Sequence, residues 1–100
     1  MANTFKALAR GAAATSSATL YTVPASTTTL VNNILIVNTA SAAGTYSLLF
    51  DDVSVATTVL VPANDTVVLD IKQVLTAAKT IKGFASAITI NFHISGLEIS

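Results

Sequence analysis

The sequence predicts an all-β chain: a single antiparallel β-sandwich, jelly-roll-like in outline, behind an extended N-terminal arm. Three observations carry this expectation. Short segments rich in Thr, Val, Ile and Leu recur from residue 18 onward, and these residues suit a pleated, half-buried surface. Turn residues separate the segments at intervals of about 8–12 positions, the spacing of sandwiches and barrels, and about six to eight strands result. The segment 88–95 alternates strictly, with Ile88, Ile90, Phe92 and Ile94 on one side and Thr89, Asn91, His93 and Ser95 on the other. That is the period of a strand buried on one face and wet on the other.

A chain of 100 residues is one domain's worth, divided here into an arm, 1–17, and a sandwich, 18–100. Residues 1–17 show neither a two-residue nor a sustained helical apolar rhythm, and Gly11 sits among small residues. They read as an extended arm with room for one helical turn over 5–10. Residues 18–23 form a short strand closed by Pro24-Ala25-Ser26, where proline fixes its own φ and donates nothing to a ladder. Residues 27–39 form the longest strand, with Leu30, Asn32, Ile34, Ile36 and Asn38 on one face and Val31, Asn33, Leu35 and Val37 on the other. Aliphatics on both faces predict a mid-sheet strand whose outer side is covered.

Residues 40–44 make the next turn, and residues 45–50 alternate with Tyr46, Leu48 and Phe50 inward. Asp51-Asp52 is a tight polar turn, after which residues 53–61 return and end at Pro62-Ala63-Asn64. Residues 65–71 follow with Val67, Leu69 and Ile71 on one face. Residues 72–78 fit either one short helix or a crossover, and residues 80–84 a brief strand or turn around Gly83. No repeat of about 20–50 residues is present, which excludes propellers and solenoids.

Composition narrows the function. Apolar residues make up 52% and charged residues only 10%, with five Lys+Arg balancing five Asp+Glu. An ordinary soluble domain carries roughly 25% charge. Disorder is excluded, and so is nucleic-acid binding through a basic surface. Seventeen of the apolar residues are Ala and the apolar runs are short, so no membrane-spanning helix of about 20 residues is expected. Lys6 and Arg10 interrupt any apolar core near the start, so no secretory signal is expected, and no cysteine is present to form a disulfide.

No catalytic, cofactor or metal residue is assigned. His93 is the only imidazole, there is no cysteine, and no serine lies in a nucleophile-elbow context. The five carboxylates, Asp51, Asp52, Asp65, Asp70 and Glu98, lack the spacing of a calcium loop, and those at 51–52 and 65 read as turn formers. Lys72, Lys79 and Lys82 form the only cluster of like charge, beside Asp70, as either a solvated loop face or one side of an electrostatic contact. In the arm, Phe5 and Leu8 are the only large apolar groups and Lys6 and Arg10 the only charges. An anchoring arm would bury the first pair against a partner and orient with the second.

Tyr21, Tyr46, Phe50 and Phe92 fall at strand-interior positions, which argues against an aromatic platform for sugars. Fifteen Thr and nine Ser stand where soluble domains place Lys and Glu. Neutral faces rich in Thr and Ala suit packing against copies of the chain or against another protein.

Three segments carry a resemblance: Leu20-Tyr21-Thr22-Val23-Pro24-Ala25 leading to Ile36-Val37-Asn38-Thr39, then Asn64-Asp65-Thr66-Val67-Val68-Leu69-Asp70, and finally Phe92-His93-Ile94-Ser95-Gly96-Leu97-Glu98-Ile99. Over residues 18–99 the chain resembles small structural proteins of tailed bacteriophages, although Ser26 stands where that family usually has Gly. The resemblance implies a non-enzymatic virion component without cofactor. It does not by itself choose between head and tail; with the low charge and two-faced aliphatics, the chain is expected to be a capsid decoration (cement) protein on the capsid surface, a homo-oligomer and specifically a trimer. Its expected partners are itself and the major capsid protein or another virion protein, with no nucleic acid and no membrane. A tail, neck or baseplate accessory subunit is the alternative, and a carbohydrate-binding or hydrolase domain of a receptor-binding apparatus a third reading.

Overall fold

The Thr-, Val- and Ile-rich segments all become strands. The computed structural model describes residues 2–100, and among them nine strands run in order: β1 (Asn3–Ala12), β2 (Ala18–Thr22), β3 (Thr28–Asn38), β4 (Gly44–Phe50), β5 (Val53–Val61), β6 (Thr66–Leu69), β7 (Gln73–Leu75), β8 (Thr80–Ala85) and β9 (Ile90–Ile99). The first sheet has the order β1-β9-β3-β6, with β7 also pairing β3 farther along. The second has the order β2-β8-β4-β5. Every pairing is antiparallel, and the two sheets pack together as a β-sandwich of 45 × 21 × 18 Å.

Period-two burial fills the space between the sheets. Ile34, Ile36, Ile90, Phe92 and Ile94 come from the first sheet, and Tyr46, Leu48, Phe50 and Ile81 from the second; all are buried. Phe92 meets Tyr46 edge to face, with ring centroids 6.3 Å apart and planes at 76°, a geometry that aligns the ring edge of one with the π-face of the other. The inward assignment of Tyr46, Leu48, Phe50, Ile90, Phe92 and Ile94 therefore holds. Ile88 does not join them: it lies in the turn before β9 and is 70% exposed, because the strand begins two residues later than its alternation suggests.

The expected arm is corrected over most of its length. Met1 lies outside the described residues, but Asn3–Ala12 is a full edge strand laid antiparallel along β9, from Asn3 opposite Ile99 to Ala12 opposite Asn91. No helical turn forms over 5–10. The alternation is hidden in the sequence because a bulge between Ala7 and Ala9 puts both Leu8 and Ala9 on the core side. Residues 72–78 are likewise no helix; they hold the three-residue strand β7 and a turn.

β3 lies mid-sheet as expected, between β9 on one side and β6 with β7 on the other. Its two faces are not the expected ones. Thr29 and Val31 are buried together with Ile34, Ile36 and Asn38, because the ladder to β9 shifts between Val31 and Asn33. One extra residue at Asn32 reverses the phase, so the odd positions before it and the even positions after it share the core face.

The bulge on β1 falls opposite Ile94 and Ser95 and that on β3 opposite Ser95 and Gly96, so the two meet at Ser95 of β9. A Cβ at Gly96 would come within 2.4 Å of the Leu30 carbonyl oxygen and 2.9 Å of Leu8 Cδ1, so only glycine admits this close approach.

Turn chemistry fits the local backbone. Asp51 and Asp52 both have positive φ, 54° and 59°, between the paired residues Phe50 and Val53, a two-residue hairpin loop of the type that matches strand twist. Ser26 has φ 56°, the left-handed conformation that glycine adopts without strain.

Candidate functional site

The residues expected to meet a partner are separated by the fold. Phe5 stands on the solvent side of β1 and is 86% exposed. Leu8 is 7% exposed and belongs to the chain's own core, so it is not available to anchor a partner. Lys6 Nζ lies 3.6 Å from Glu98 Oε1, and Arg10 is exposed on β1 opposite His93. The lysines do not stand as a patch of one sign. Lys72 pairs with Asp70 at 3.2 Å, Lys79 with Asp51 at 3.5 Å and Lys82 with Asp52 at 2.7 Å. Such exposed pairs contribute about 0–1 kcal/mol each, but they neutralise the field a partner would feel.

Two buried polar groups hold the sandwich together. The Tyr21 hydroxyl, on β2 of the second sheet, donates to Glu98 Oε2 on β9 and shares a 2.8 Å hydrogen bond with Thr29 Oγ1 on β3. Burial, and then the hydrogen bond to the Glu98 carboxylate, push its pKa up to about 12. With Lys6 on the other carboxylate oxygen, the cluster ties β1, β9 and β3 to β2. At the opposite end, Asn38 is fully buried. Its Nδ2 donates to the carbonyls of Ala42, Val61 and Pro62 at 2.9, 3.3 and 3.3 Å, and its Oδ1 accepts from Ala40 N at 3.0 Å. An amide satisfied on both ends in this way fixes the loop between β3 and β4 to the end of β5.

The sheet edges are protected from strand addition. β1 carries Lys6 and Arg10, β2 has five residues and stops before Pro24, and β6 and β7 are short and separated by the Asp70–Lys72 pair. β5 is long and uncharged, but its ladder to β4 shifts register twice, with Thr58 at φ 48°. Charge, shortness and bulges are the usual ways an edge is blunted.

The faces are less protected. Across the outer side of the first sheet, Phe5, Leu97, Leu30 and Val74 stand in one cross-strand row. Arg10, His93, Leu35 and Val68 stand in another, with the small row Ala7, Ser95 and Asn33 between them. Phe5, Val74 at 64% and Val68 at 60% are exposed, while Leu97, Leu30 and Leu35 are half-buried. Among the described residues no strand lies over this face, so the outer side of β3 is not covered by the chain itself.

Only Phe5 and Arg10 of this surface were among the sequence candidates. The others come from β1, β3, β6, β7 and β9, and the aliphatics on both sides of 31–37 were the one signal for them.

Concave features offer little acid–base chemistry. A hollow of about 160 Å³ on the second sheet is lined by Thr15, Thr45, Tyr46, Ser47, Thr58, Phe84, Ala85 and Ser86. A slot of about 210 Å³ opens between β1 and β2, lined by Ala9, Arg10, Gly11, Ala12, Thr19, Leu20 and Phe92. Neither is lined by a carboxylate or an imidazole. His93 is flanked across the sheet by Arg10 and Leu35, not by a carboxylate. Among the described residues no three His, Cys, Asp or Glu side chains gather to hold a metal ion, and no helix is long and apolar enough to cross a membrane. Comparison with family models, with curated proteins and with solved structures found no match for the chain.

Proposed function

We propose that this chain is a non-enzymatic structural subunit of a tailed-phage particle, a capsid decoration (cement) protein that acts by packing against itself and against the major capsid protein. The single observation that supports packing most directly is the outer face of the first sheet, where Phe5, Val74 and Val68 are exposed in rows whose only charged or titratable side chains are Arg10 and His93. A monomer that kept this face in water would carry an apolar patch without the charge that keeps such surfaces apart. The phage assignment itself comes from the resemblance of the segments at 20–39, 64–70 and 92–99.

The path of the chain supports reading the sandwich as a jelly roll. The strand orders β1-β9-β3-β6 and β2-β8-β4-β5 alternate between sheets in the manner of two interleaved Greek keys. That architecture serves in viral shells and in lectins alike, so the packing role rests on the outer face and not on the fold. A decoration subunit of this kind strengthens a shell by mass action: each contact it makes with assembled capsomers, and not with free ones, favours the assembled state.

Proteomics of purified particles from the source culture tests the assignment, with gold-labelled antibody raised against the purified chain to place it. Labelling over heads at high copy number is the expected result. Labelling confined to tails or baseplates moves the chain to the alternative, an accessory subunit there, and absence from particles overturns the virion reading altogether.

A further inference from the structure

We propose that the outer face of the first sheet packs against the same face of a second copy of this chain, forming a two-fold dimer. The inference rests on the reading of the chain as a self-associating subunit and names the surface that does it. All four edges carry a device against strand addition, in the charges of β1, the brevity of β2, β6 and β7, and the double register shift of β5. The outer face of the first sheet carries a single charge, Arg10, among its rows, so a partner is met by side chains and not by main-chain pairing.

Charge selects the occupant. Two of the exposed ion pairs, Lys79–Asp51 and Lys82–Asp52, belong to the second sheet and its adjoining turns, and Asp70–Lys72 sits at the rim between β6 and β7. The rows of the first sheet's outer face hold no carboxylate, and their only charged or titratable groups are Arg10 and His93, adjacent in one row. A basic partner finds no carboxylate to pair with there and an acidic one finds only Arg10, whereas a copy of the same sparsely charged face brings no repulsion beyond the two Arg10 side chains.

Area and relief also suit a copy. Ten residues at about 3.3 Å and four strands at about 4.8 Å give a face of roughly 600 Å². Two such faces bury roughly 1,200 Å² in all, the lower bound of specific, stable interfaces. The relief is complementary to itself: the bulky row Phe5, Leu97, Leu30 and Val74 lies beside the small row Ala7, Ser95 and Asn33, so a two-fold rotation seats ridge against trough. A face that packs on itself closes as a pair, which makes a dimer the state to look for in place of the expected trimer.

Sedimentation of the purified full chain over a concentration series, with Phe5→Glu, Val74→Lys and Leu60→Lys alongside, tests this. Phe5, Val74 and Leu60 are all exposed, on β1, on β7 and on β5 of the second sheet respectively, so folding checked by circular dichroism is expected to be unchanged. The expected result is a wild-type dimer, at least tenfold weaker dimerisation in each of the two first-sheet variants, and no change in Leu60→Lys. If Phe5→Glu disturbs β1, Val74→Lys decides alone. A monomer at every concentration overturns the proposal, as does an oligomer that survives Val74→Lys or is lost with Leu60→Lys. These outcomes are independent of particle proteomics: a monomer found on particles removes only the dimer, and a dimer absent from particles removes only the virion assignment.

Discussion

Phe92 is the residue on which the interior of the sandwich closes, since it is fully buried, meets Tyr46 edge to face and sits across from the Cβ position of Gly83. Truncating it to Ala leaves a cavity between the sheets and is expected to cost about 3–5 kcal/mol, a large share of what a domain of this size has. His93, one residue on, faces outward beside Arg10, and His93→Ala is expected to change stability by less than about 0.5 kcal/mol. Chemical denaturation of both variants checks the register of β9, because a slip of one residue would exchange the two results. Asn38 shows a different kind of buried residue. The sequence placed it on the face of Ile34 and Ile36, but nothing in its neighbours announced that its amide would reach the carbonyls of Ala42, Val61 and Pro62.

At the scale of elements, β1 decides whether residues 3–12 are an arm or a part of the sandwich. A free arm would tolerate loss of its apolar groups equally, whereas a paired strand distinguishes them by side. Leu8→Ala is expected to cost about 2–5 kcal/mol, because the side chain fills the space that Gly96 leaves open on β9. Phe5→Ala is expected to leave the unfolding free energy of the monomer within about 0.5 kcal/mol, its ring being in solvent. Denaturant unfolding at a concentration where the chain is monomeric separates these outcomes, and equal costs at the two positions would return the segment to an arm. The strand was illegible because its apolar content is Phe5 outward and Leu8 inward, with a bulge between Ala7 and Ala9 that breaks the alternation.

The whole molecule is clasped by Tyr21, and this gives its stability a direction with pH. In the folded chain the Tyr21 hydroxyl holds its proton up to about 12, against 10.0 for an ordinary tyrosine, because burial and the Glu98 carboxylate both disfavour the phenolate. Below pH 10 both states keep the proton and the contribution of the clasp is complete. Between pH 10 and 12 the unfolded chain releases a proton that the folded chain retains, so stability falls as pH rises through that window, by about 2–3 kcal/mol in all. Burial raises the Tyr46 hydroxyl as well, which adds to the same slope. Urea unfolding measured from pH 9 to 12 is expected to show this decline, and Tyr21→Phe is expected to flatten the part due to Tyr21 while lowering stability at neutral pH by about 1–3 kcal/mol, with Thr29 and Glu98 left without their partner.

The sequence by itself determined what depends on neighbours a few residues away. Strand composition from residue 18 onward, the inward set Tyr46, Leu48 and Phe50, the alternation of Ile90, Phe92 and Ile94, and the Asp51-Asp52 turn are all local, since period-two burial and turn conformation are properties of short segments. Only the tertiary structure decided what depends on pairing between distant strands. The bulges on either side of Ser95 reverse the phase of β1 and β3, and beside them Gly96 of β9 leaves the room that Leu8 and the Leu30 carbonyl occupy. The apolar rows on the outer face are assembled from β1, β9, β3, β6 and β7, five segments that become neighbours only when the ladders form. A surface built from register has no signature in sequence order, because each strand contributes a single residue to a row and hydrogen bonding between strands alone sets which residues meet.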